Sequence, residues 1–547
     1  MMERILLVEP DYKNKFPPIG LMKIASYHRR KKDYVEFYKG NAPYTKVVDF
    51  DRAYITTLFT FYYDSTIDTI QHYLNYMHKD NVYVGGISAT LLAEKYKKDL
   101  GIENVITGQL VNSSLIRYND SVNIDELPLD YDILDDIHYK YPAGDNIFIY
   151  TTRGCLRGCK FCAVSKLEPK FEDTNHIVNQ IQAVREKYGD KRNVLIMDNN
   201  VLYSRELKKV VEDLNSIGYI SNTPNYIEPN YFGIMLGKIK RRKENNNKYD
   251  KQIEELMEYL NKFKNRVKSE KLCKRYNEIL NYINEAENKI KAFDEVRIET
   301  IEILEKYRFK QKLQRYVDFN QGLDARLLTK DKMRIMSNIA IKPFRLAYDS
   351  VKYKKAYKSA FNNAYLHGVR YFSNYMLYNY EDPPYDLWKR LYNTIVLYQN
   401  KSDLQGFSFP MKYAPIDMTN RDYIGEKWNK KYLTAINVIL NVTKGVVAKE
   451  KDFFFEAFGS NKKEFIEILT MPNQFIKNRM LFKKRGYIKT WKRKYNNLKD
   501  TEKKILLKYL CGLIDKNKIK NKKIISIIEL YSITKPHTLK SAKNKEK

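Results

Sequence analysis

The sequence predicts an α/β protein with an N-terminal doubly wound (Rossmann-like) domain, a partial (β/α)6 barrel carrying a long helical insertion, and a helical C-terminal region. Short apolar segments alternate with helical ones over residues 1–140 and again over 141–420, the pattern of parallel sheets. Residues 238–315 interrupt this alternation, because they lack Gly and Pro and keep helical apolar spacing. Residues 421–547 are basic and have helical spacing.

The composition is that of a folded protein. The 547 residues allow roughly three or four domains, and a hydrophobic fraction of 43% is enough for several packed cores. No stretch of 18 apolar residues is present, so no membrane-spanning helix is expected. The chain runs from Met1 directly into an apolar strand, without the apolar core of a signal peptide. We therefore expect a cytoplasmic protein with no membrane partner.

In the N-terminal region, five predicted apolar strands alternate with three predicted helices. Residues 120–145 lack periodicity and are interpreted as a linker. Parallel doubly wound sheets bind ligands beyond the carboxyl ends of their strands. The predicted strands are Arg4–Val8, Tyr34–Tyr38, Ala53–Phe59, Val82–Val84 and Asn104–Thr107, and the predicted helices are Ile19–Arg30, Thr66–Met77 and Leu91–Leu100.

The next region holds six candidate strands, too few for a complete eight-stranded barrel. An open, partial barrel with its site at the strand carboxyl ends fits this number. The candidates are Asn146–Thr151, Val194–Met197, Tyr316–Phe319, Phe344–Tyr348, Val369–Phe372 and Gly406–Phe409.

The insertion has a narrow apolar stripe. Ile253, Leu256, Leu260 and Phe263 step by three and four, with Glu and Lys between them. This spacing predicts one long helix or a helical hairpin with a coiled-coil-like stripe.

The charge distribution leaves two interpretations open. The formal net charge is +32, and 23 Lys and Arg against 5 Asp and Glu place +18 of it in residues 477–547. Such a surface favours nucleic acid as a partner, and Phe482, Tyr487, Trp491 and Tyr495 are placed to stack on bases. The alternatives are a basic composition without a binding role and aromatics that pack inward. The last dozen residues, 536–547, are expected to be disordered.

Three of the five cysteines lie within eight residues. Cys155, Cys159 and Cys162 have the spacing Cys-x3-Cys-x2-Cys and follow a predicted strand. Three thiolates on a [4Fe–4S] cluster leave one iron open, and that iron can bind the amino and carboxylate groups of S-adenosylmethionine (SAM). We therefore predict these three cysteines as the metal ligands.

Other metal sites fit less well. A zinc site normally has a second Cys or His pair, and a ferredoxin-type carrier needs a fourth thiolate. The remaining cysteines, Cys273 and Cys511, are far away in the sequence and are interpreted as packing residues.

The cysteine segment resembles the radical SAM superfamily, whose signature has this spacing with an aromatic residue before the third Cys, here Phe161. The resemblance implies reductive cleavage of SAM to a 5′-deoxyadenosyl radical and an electron donor such as flavodoxin or ferredoxin. It leaves open whether the radical reaction is methyl or methylthio transfer, rearrangement or another modification. It implies that Phe161 lies against the SAM adenine.

The resemblance also implies further cofactor-binding residues at the strand ends. The motif Met197-Asp198-Asn199-Asn200 resembles a variant of the family's second-strand motif, which approaches the methionine part of SAM. Two later segments resemble third- and fourth-strand segments of one subgroup. The candidate cofactor-binding residues are Phe161, Asp198, Asn199, Asn200, Gln321, Asp324 and Arg345.

Upstream, Pro17-Pro18-Ile19-Gly20-Leu21 resembles the subgroup with an N-terminal cobalamin-binding-type domain, so cobalamin is a third candidate cofactor. The Asp-x-His-x-x-Gly motif, whose His ligates cobalt in that subgroup, is absent. Gly85-Gly86 after a strand either admits a flat ligand or forms a tight strand-to-helix turn. The alternative function, from a different class, is a nucleic-acid-binding protein with a structural or sensing cluster.

Overall fold

The computed structural model describes residues 2–174, 176–399 and 401–535. The chain forms two compact units. The first consists of Met1–Gln321, Arg334–Lys342 and Ile416–Arg421, and the second of Gly322–Met333, Pro343–Pro415 and Asp422–Lys547. The predicted domain boundaries at residues 140 and 420 do not coincide with this division and stay predictions.

The first unit begins with a parallel five-stranded sheet. Its strand order, β2-β1-β3-β4-β5, is the flavodoxin-like variety of the doubly wound sheet, so the predicted class is confirmed. The elements are β1 (Arg4–Glu9), α1 (Ile19–Arg30), β2 (Tyr34–Lys39), α2 (Tyr44–Val47), β3 (Arg52–Thr57), α3 (Tyr63–Leu74), β4 (Val82–Gly86), α4 (Ile87–Leu91), α5 (Ala93–Leu100) and β5 (Val105–Ile106).

The sequence of β1 shows why this sheet is central. Ile5, Leu6, Leu7 and Val8 are all fully buried, because a parallel sheet is covered on both faces. At the end of β4, Gly86 has φ +108°, and a Cβ there would overlap the carbonyl oxygen of Thr57 on the neighbouring strand. The glycine is therefore required by close backbone approach, which favours the strand-to-helix turn over a ligand cradle.

Residues 120–145 are not the linker that the sequence predicts. Short 3-10 turns at Ile124–Glu126 and Asp132–Asp136 carry buried side chains, including Ile124 and Ile133. The Asp136 carboxylate accepts a hydrogen bond from the Phe37 amide of β2 at 2.9 Å. Long-range bonds of this kind are invisible to periodicity, which is why an acidic segment without a pattern reads as a linker.

A second parallel sheet, in the order β10-β9-β6, contains the first three strands predicted for the barrel. In register, Ile149 pairs with Ile196, and Ile196 with Phe319. The elements up to the insertion are β6 (Ile147–Ile149), β7 (Thr152–Arg153), α6 (Val164–Leu167), β8 (Glu172–Asp173), α7 (Ile177–Tyr188), β9 (Asn193–Ile196) and α8 (Leu207–Ser216).

The insertion is a bundle of five helices, which corrects the prediction of one long helix or a hairpin. The chain turns at Asn246, which has φ +58°, and again at Ser269, so polar turn residues replace the missing Gly and Pro. The helices, which precede β10 (Tyr316–Phe319), are α9 (Tyr231–Glu244), α10 (Asp250–Lys264), α11 (Glu270–Glu285), α12 (Lys289–Glu295) and α13 (Arg297–Tyr307).

The second unit contains a sheet in the order β11-β12-β13-β14-β15, parallel except for its last strand. All six predicted barrel strands are thus present, but hydrogen bonds place them in two sheets, and their closure into one partial barrel stays a prediction. The elements are β11 (Leu323–Asp324), α14 (Lys330–Met336), β12 (Phe344–Ala347), α15 (Lys354–Leu366), β13 (Tyr371–Tyr378), α16 (Pro384–Tyr398) and β14 (Gln405–Lys412).

The rest of the second unit is mostly helical, as predicted. Phe482, Tyr487, Trp491 and Tyr495 are buried there, so the aromatics of the basic region pack inward and are not available to stack on bases. Residues 536–547 lie outside the described part. The elements are α17 (Lys430–Val442), β15 (Val447–Ala448), α18 (Lys451–Phe458), α19 (Lys462–Thr470), α20 (Asn473–Lys477), α21 (Arg479–Lys484), α22 (Tyr487–Asn496), α23 (Asp500–Leu510) and α24 (Lys522–Ile528).

Among the described residues, no helix combines the length and the apolar character that crossing a membrane requires.

Candidate active site at the cysteine loop

The three predicted ligands lie on one loop, residues 154–163, between β7 and α6; we call it the cysteine loop. All three cysteines are half-buried, and Leu156 between them is 65% exposed. The Cys162 amide donates to the Cys159 carbonyl at 2.9 Å, which closes a tight turn. The Arg157 amide lies 3.5 Å from the Cys155 sulfur. The loop thus presents three accessible thiols, the donor set of a cluster with one open iron.

The other two cysteines belong elsewhere. Cys273 is on α11 and packs against the apolar core of the bundle. Cys511 follows α23, and its sulfur lies 3.7 Å from the Asn429 side-chain oxygen in the second unit. Both placements agree with the interpretation as packing residues.

Gly154 opens the cysteine loop in a conformation that a side chain would disturb. Its φ is +72°, and a Cβ there would overlap the backbone carbonyl of Lys170, where the chain returns from the loop. The entrance of the loop therefore lies in direct backbone contact with residues 168–170, the segment after α6 that we call the exit of the loop.

The second-strand motif lies beside the loop, at the carboxyl end of β9. Asn199 donates from its amide nitrogen to Glu168 at 2.6 Å, and the Asn200 amide nitrogen lies 3.9 Å from the Cys155 sulfur. The Asn200 side-chain oxygen is buried and has no hydrogen-bond partner within the described chain. The structure thus brings two of the predicted residues to the cysteine loop.

Asp198 has a different position in the motif. It is buried, and its carboxylate accepts hydrogen bonds from the Thr151 amide at 2.6 Å and from the Thr151 hydroxyl. Burial raises the pKa of Asp198 to about 6, while hydrogen bonds from Thr151 and Thr152 act in the opposite direction. The carboxylate therefore joins the ends of β6 and β9.

Glu168 is the residue that sequence reasoning missed. It follows α6, outside the family signature, and accepts hydrogen bonds from the Gly154 amide and from Asn199. Its other oxygen accepts from Arg153 at 2.9 Å. A lone acidic residue after a short helix has no signal in the sequence, because its partners are 14, 15 and 31 residues away.

A chain of alternating charges continues from Arg153 into the N-terminal sheet region. Arg153 pairs with Asp125, and Asp125 pairs with Lys23 of α1 at 2.8 Å. Burial lowers the pKa of Lys23 to about 8, against the opposing charge of Asp125. These residues line a cavity of about 180 Å³ together with Phe148 and Tyr150.

The remaining predicted residues are distributed over both units. Phe161 is half-buried on the cysteine loop, and Gln321 is exposed at the end of the first unit's main segment. In the second unit, Asp324 accepts two hydrogen bonds from Arg326 at 2.7 and 2.8 Å. Arg345 on the adjacent strand donates to the Tyr375 hydroxyl at 3.0 Å.

The loop after β1 of the N-terminal sheet contains no histidine that could ligate cobalt. The Glu9 carboxylate at its start is engaged by Lys39 at 2.7 Å and by Tyr141. His28 is fully buried on α1 and hydrogen bonds with Asp33 at 2.8 Å. Cobalamin therefore stays a predicted cofactor, without a histidine ligand from this loop.

Comparison with known proteins adds one family and one solved structure. Residues 149–317 match the family model described as the Radical SAM superfamily. The fold is similar to the structure of the radical S-adenosylmethionine methyltransferase TsrM from Kitasatospora setae with cobalamin and a [4Fe–4S] cluster bound. That likeness has a TM-score of 0.43 and 8% identity, and it covers 76% of this chain and 74% of the other. No curated protein matches the sequence.

The match over 149–317 contains the cysteine loop, β6, β9 and β10. The chain therefore carries a radical SAM domain over these residues, and members of that family use a [4Fe–4S] cluster and SAM.

Proposed function

We propose that this radical SAM enzyme cleaves SAM reductively at a [4Fe–4S] cluster held by Cys155, Cys159 and Cys162. The observation that carries the proposal is the placement of three half-buried thiols on one loop downstream of the parallel strand β6, within the residues that match the family. A cluster held by these thiolates would pass an electron from the external donor to the SAM sulfonium, which would break its C5′–S bond to give methionine and a 5′-deoxyadenosyl radical.

The protein's own residues orient the ligands. Gly154 allows the loop to close on Lys170, and Asn200 places an amide N–H near the Cys155 sulfur. Hydrogen bonds to cluster sulfurs are one of the means by which a protein sets the reduction potential. Asn200 therefore has a role in tuning the cluster in addition to its predicted role in SAM binding.

The contacts of the other predicted residues divide them into two groups. Asp198 and Asn199 are engaged by Thr151 and Glu168, so we assign them to holding the strand end that faces SAM. Phe161, Asn200 and Gln321, all in the first unit, keep the proposed role of direct SAM contacts, and Asp324 and Arg345 in the second unit stay candidates from the family resemblance. Their support is their position on the cysteine loop or at strand ends and the family resemblance.

The test is anaerobic reconstitution of the full chain, followed by iron analysis and a SAM-cleavage assay with dithionite. We expect about four irons per chain and 5′-deoxyadenosine as a product. The triple variant Cys155→Ala, Cys159→Ala, Cys162→Ala should lose both, whereas the matched Cys273→Ala and Cys511→Ala variants should keep both. Full iron content in the triple variant would rule out the proposed ligands.

The same assay with added cobalamin addresses the reaction class. Formation of 5′-deoxyadenosine without cobalamin supports radical generation as the basic activity. If a product forms only when cobalamin is added, and S-adenosylhomocysteine forms with it, the basic activity is cobalamin-dependent methyl transfer and not radical generation.

A further inference from the structure

We propose that Glu168 is a positioning residue that clamps the cysteine loop and fixes Asn200 against Cys155. The inference rests on the proposed function, since it concerns the loop that holds the cluster. Glu168 lies at the exit of the loop, and its carboxylate reaches back to the entrance.

Each oxygen of the Glu168 carboxylate has its own donors. One accepts from the Gly154 amide at 2.7 Å and from Asn199 at 2.6 Å, and the other accepts from Arg153 at 2.9 Å. The side chain is 13% exposed. Hydrogen bonds to an ionised acceptor are stronger than neutral ones, and low exposure strengthens them further.

The bond to Asn199 extends the clamp to the strand end. Asn199 precedes Asn200, whose amide nitrogen lies 3.9 Å from the Cys155 sulfur. The Glu168 carboxylate thereby holds two segments in one arrangement, the entrance of the loop that carries Cys155 and the turn that carries Asn200. Outer partners of this kind orient the groups that bind a metal and tune its properties.

The chemistry of the site requires a carboxylate. A glutamine has one oxygen and one NH₂ group, so it must turn its NH₂ toward either Arg153 or the pair formed by Gly154 and Asn199. In either orientation the glutamine NH₂ group faces another hydrogen-bond donor, and at least one hydrogen bond of the wild-type carboxylate is lost. An aspartate keeps both acceptor oxygens but is shorter by one methylene, so it retains part of the clamp.

The neighbouring charges ensure that Glu168→Gln leaves no buried arginine without a partner. Arg153 keeps Asp125 as a second partner, and its guanidinium lies 3.3 Å from the centre of the Tyr150 ring. The guanidinium therefore stays paired when the Glu168 charge is removed. The matched control is Glu172→Gln, which makes the same change at an exposed carboxylate four residues further along the chain.

The experiment compares reconstituted wild-type, Glu168→Gln, Glu168→Asp and Glu172→Gln proteins of full length. In Glu168→Gln we expect iron release to a chelator to be about tenfold faster and 5′-deoxyadenosine formation about tenfold slower. The EPR spectrum of the reduced, SAM-bound cluster should shift, because the contact between Asn200 and Cys155 changes. Glu168→Asp should fall between Glu168→Gln and wild type, and Glu172→Gln should match wild type.

The outcomes separate this inference from the proposed function. Wild-type protein that binds no iron contradicts the proposed function. Wild-type protein with a full cluster, together with Glu168→Gln that matches it in iron release, EPR spectrum and turnover, contradicts the positioning role alone. If Glu168→Gln is insoluble, Glu168→Asp is tested by the same three measurements. A Glu168→Asp protein that equals wild type in iron release, EPR spectrum and turnover would also contradict the positioning role of Glu168.

Discussion

The cysteine loop and the helical bundle both interrupt the same three-stranded parallel sheet, but different forces hold them. The loop lies between β6 and β9 and is closed by the half-buried Glu168 carboxylate and by a backbone crossing at Gly154. The bundle lies between β9 and β10 and has an apolar core of its own, which includes Phe232, Leu260 and Tyr276.

The bundle also has ionic attachments to the acidic segment that precedes β6. Arg241 makes a two-point contact with Asp132 at 2.8 and 3.0 Å, and Arg242 pairs with Asp136 at 2.8 Å. An insertion that buries its own core can be long without weakening the sheet. A loop that must leave three thiols accessible has no such core, so polar contacts determine its shape.

The largest expected effect is at the entrance of the cysteine loop. Gly154→Ala should abolish most iron binding after reconstitution, because a Cβ at φ +72° overlaps the Lys170 carbonyl and forces the loop entrance away from its exit. Iron content and the cluster's visible absorbance measure the loss. The control is Gly158→Ala in the same loop, where a Cβ meets no atom within 4 Å. Equal iron content in the two variants would show that the backbone crossing does not shape the loop.

An intermediate effect is expected in the bundle. Leu260→Ala removes a fully buried side chain and should lower the free energy of unfolding of the bundle by about 2–5 kcal/mol. Ile298→Ala, at a side chain that is 75% exposed on the same bundle, should change it by less than about 0.5 kcal/mol. Hydrogen exchange of α10 and α11 reports both changes. Iron content should be unaffected, and a parallel loss of iron would mean that bundle and loop are not independent.

The smallest effect is expected at Lys431, a buried amine in the second unit. Its hydrogen-bond acceptors are uncharged, whereas the arginines of the bundle pair with carboxylates. Lys431 donates to the Met471 carbonyl and to Asn473, both at 2.7 Å, and both acceptors are uncharged. Burial lowers the pKa of Lys431 to about 7, and the nearby Cys511 sulfur, when ionised, acts in the opposite direction.

This pKa has a definite consequence for stability. The unfolded chain keeps the proton of Lys431 up to its ordinary pKa of 10.5, whereas the folded chain releases it above about 7. The unfolded state thus binds more protons between these values, so stability should rise with pH by at most about 1.4 kcal/mol per unit. Lys431→Met should remove that slope in thermal unfolding between pH 7 and 9, and Lys430→Met, at an exposed neighbour, should keep it. A slope that persists in Lys431→Met would contradict the shifted pKa.

The strands and the thiols were predictable because their signals are local. An apolar run such as Ile5 to Val8 predicts a buried strand without information from the rest of the chain. The spacing of Cys155, Cys159 and Cys162 is likewise a property of eight consecutive residues. The helical character of the insertion was equally predictable. Its division into five helices was not, because Asn246 and Ser269 can continue a helix or end it, and packing of the apolar faces decides which.

By itself, the sequence predicted the strands of the parallel sheets, the three cysteines as cluster ligands and the resemblance to the radical SAM superfamily, since each depends on residues that are close together in the chain. The tertiary structure alone decided that Glu168 closes the cysteine loop, that Asp136 and its neighbours receive the arginines of the bundle, and that the aromatics of the basic region pack inward. Each of these depends on contacts between distant parts of the chain or on which face of a helix is covered. A hydrogen bond between residues 31 or 106 positions apart has no period and no spacing, so it exists only once the fold has brought its two groups together.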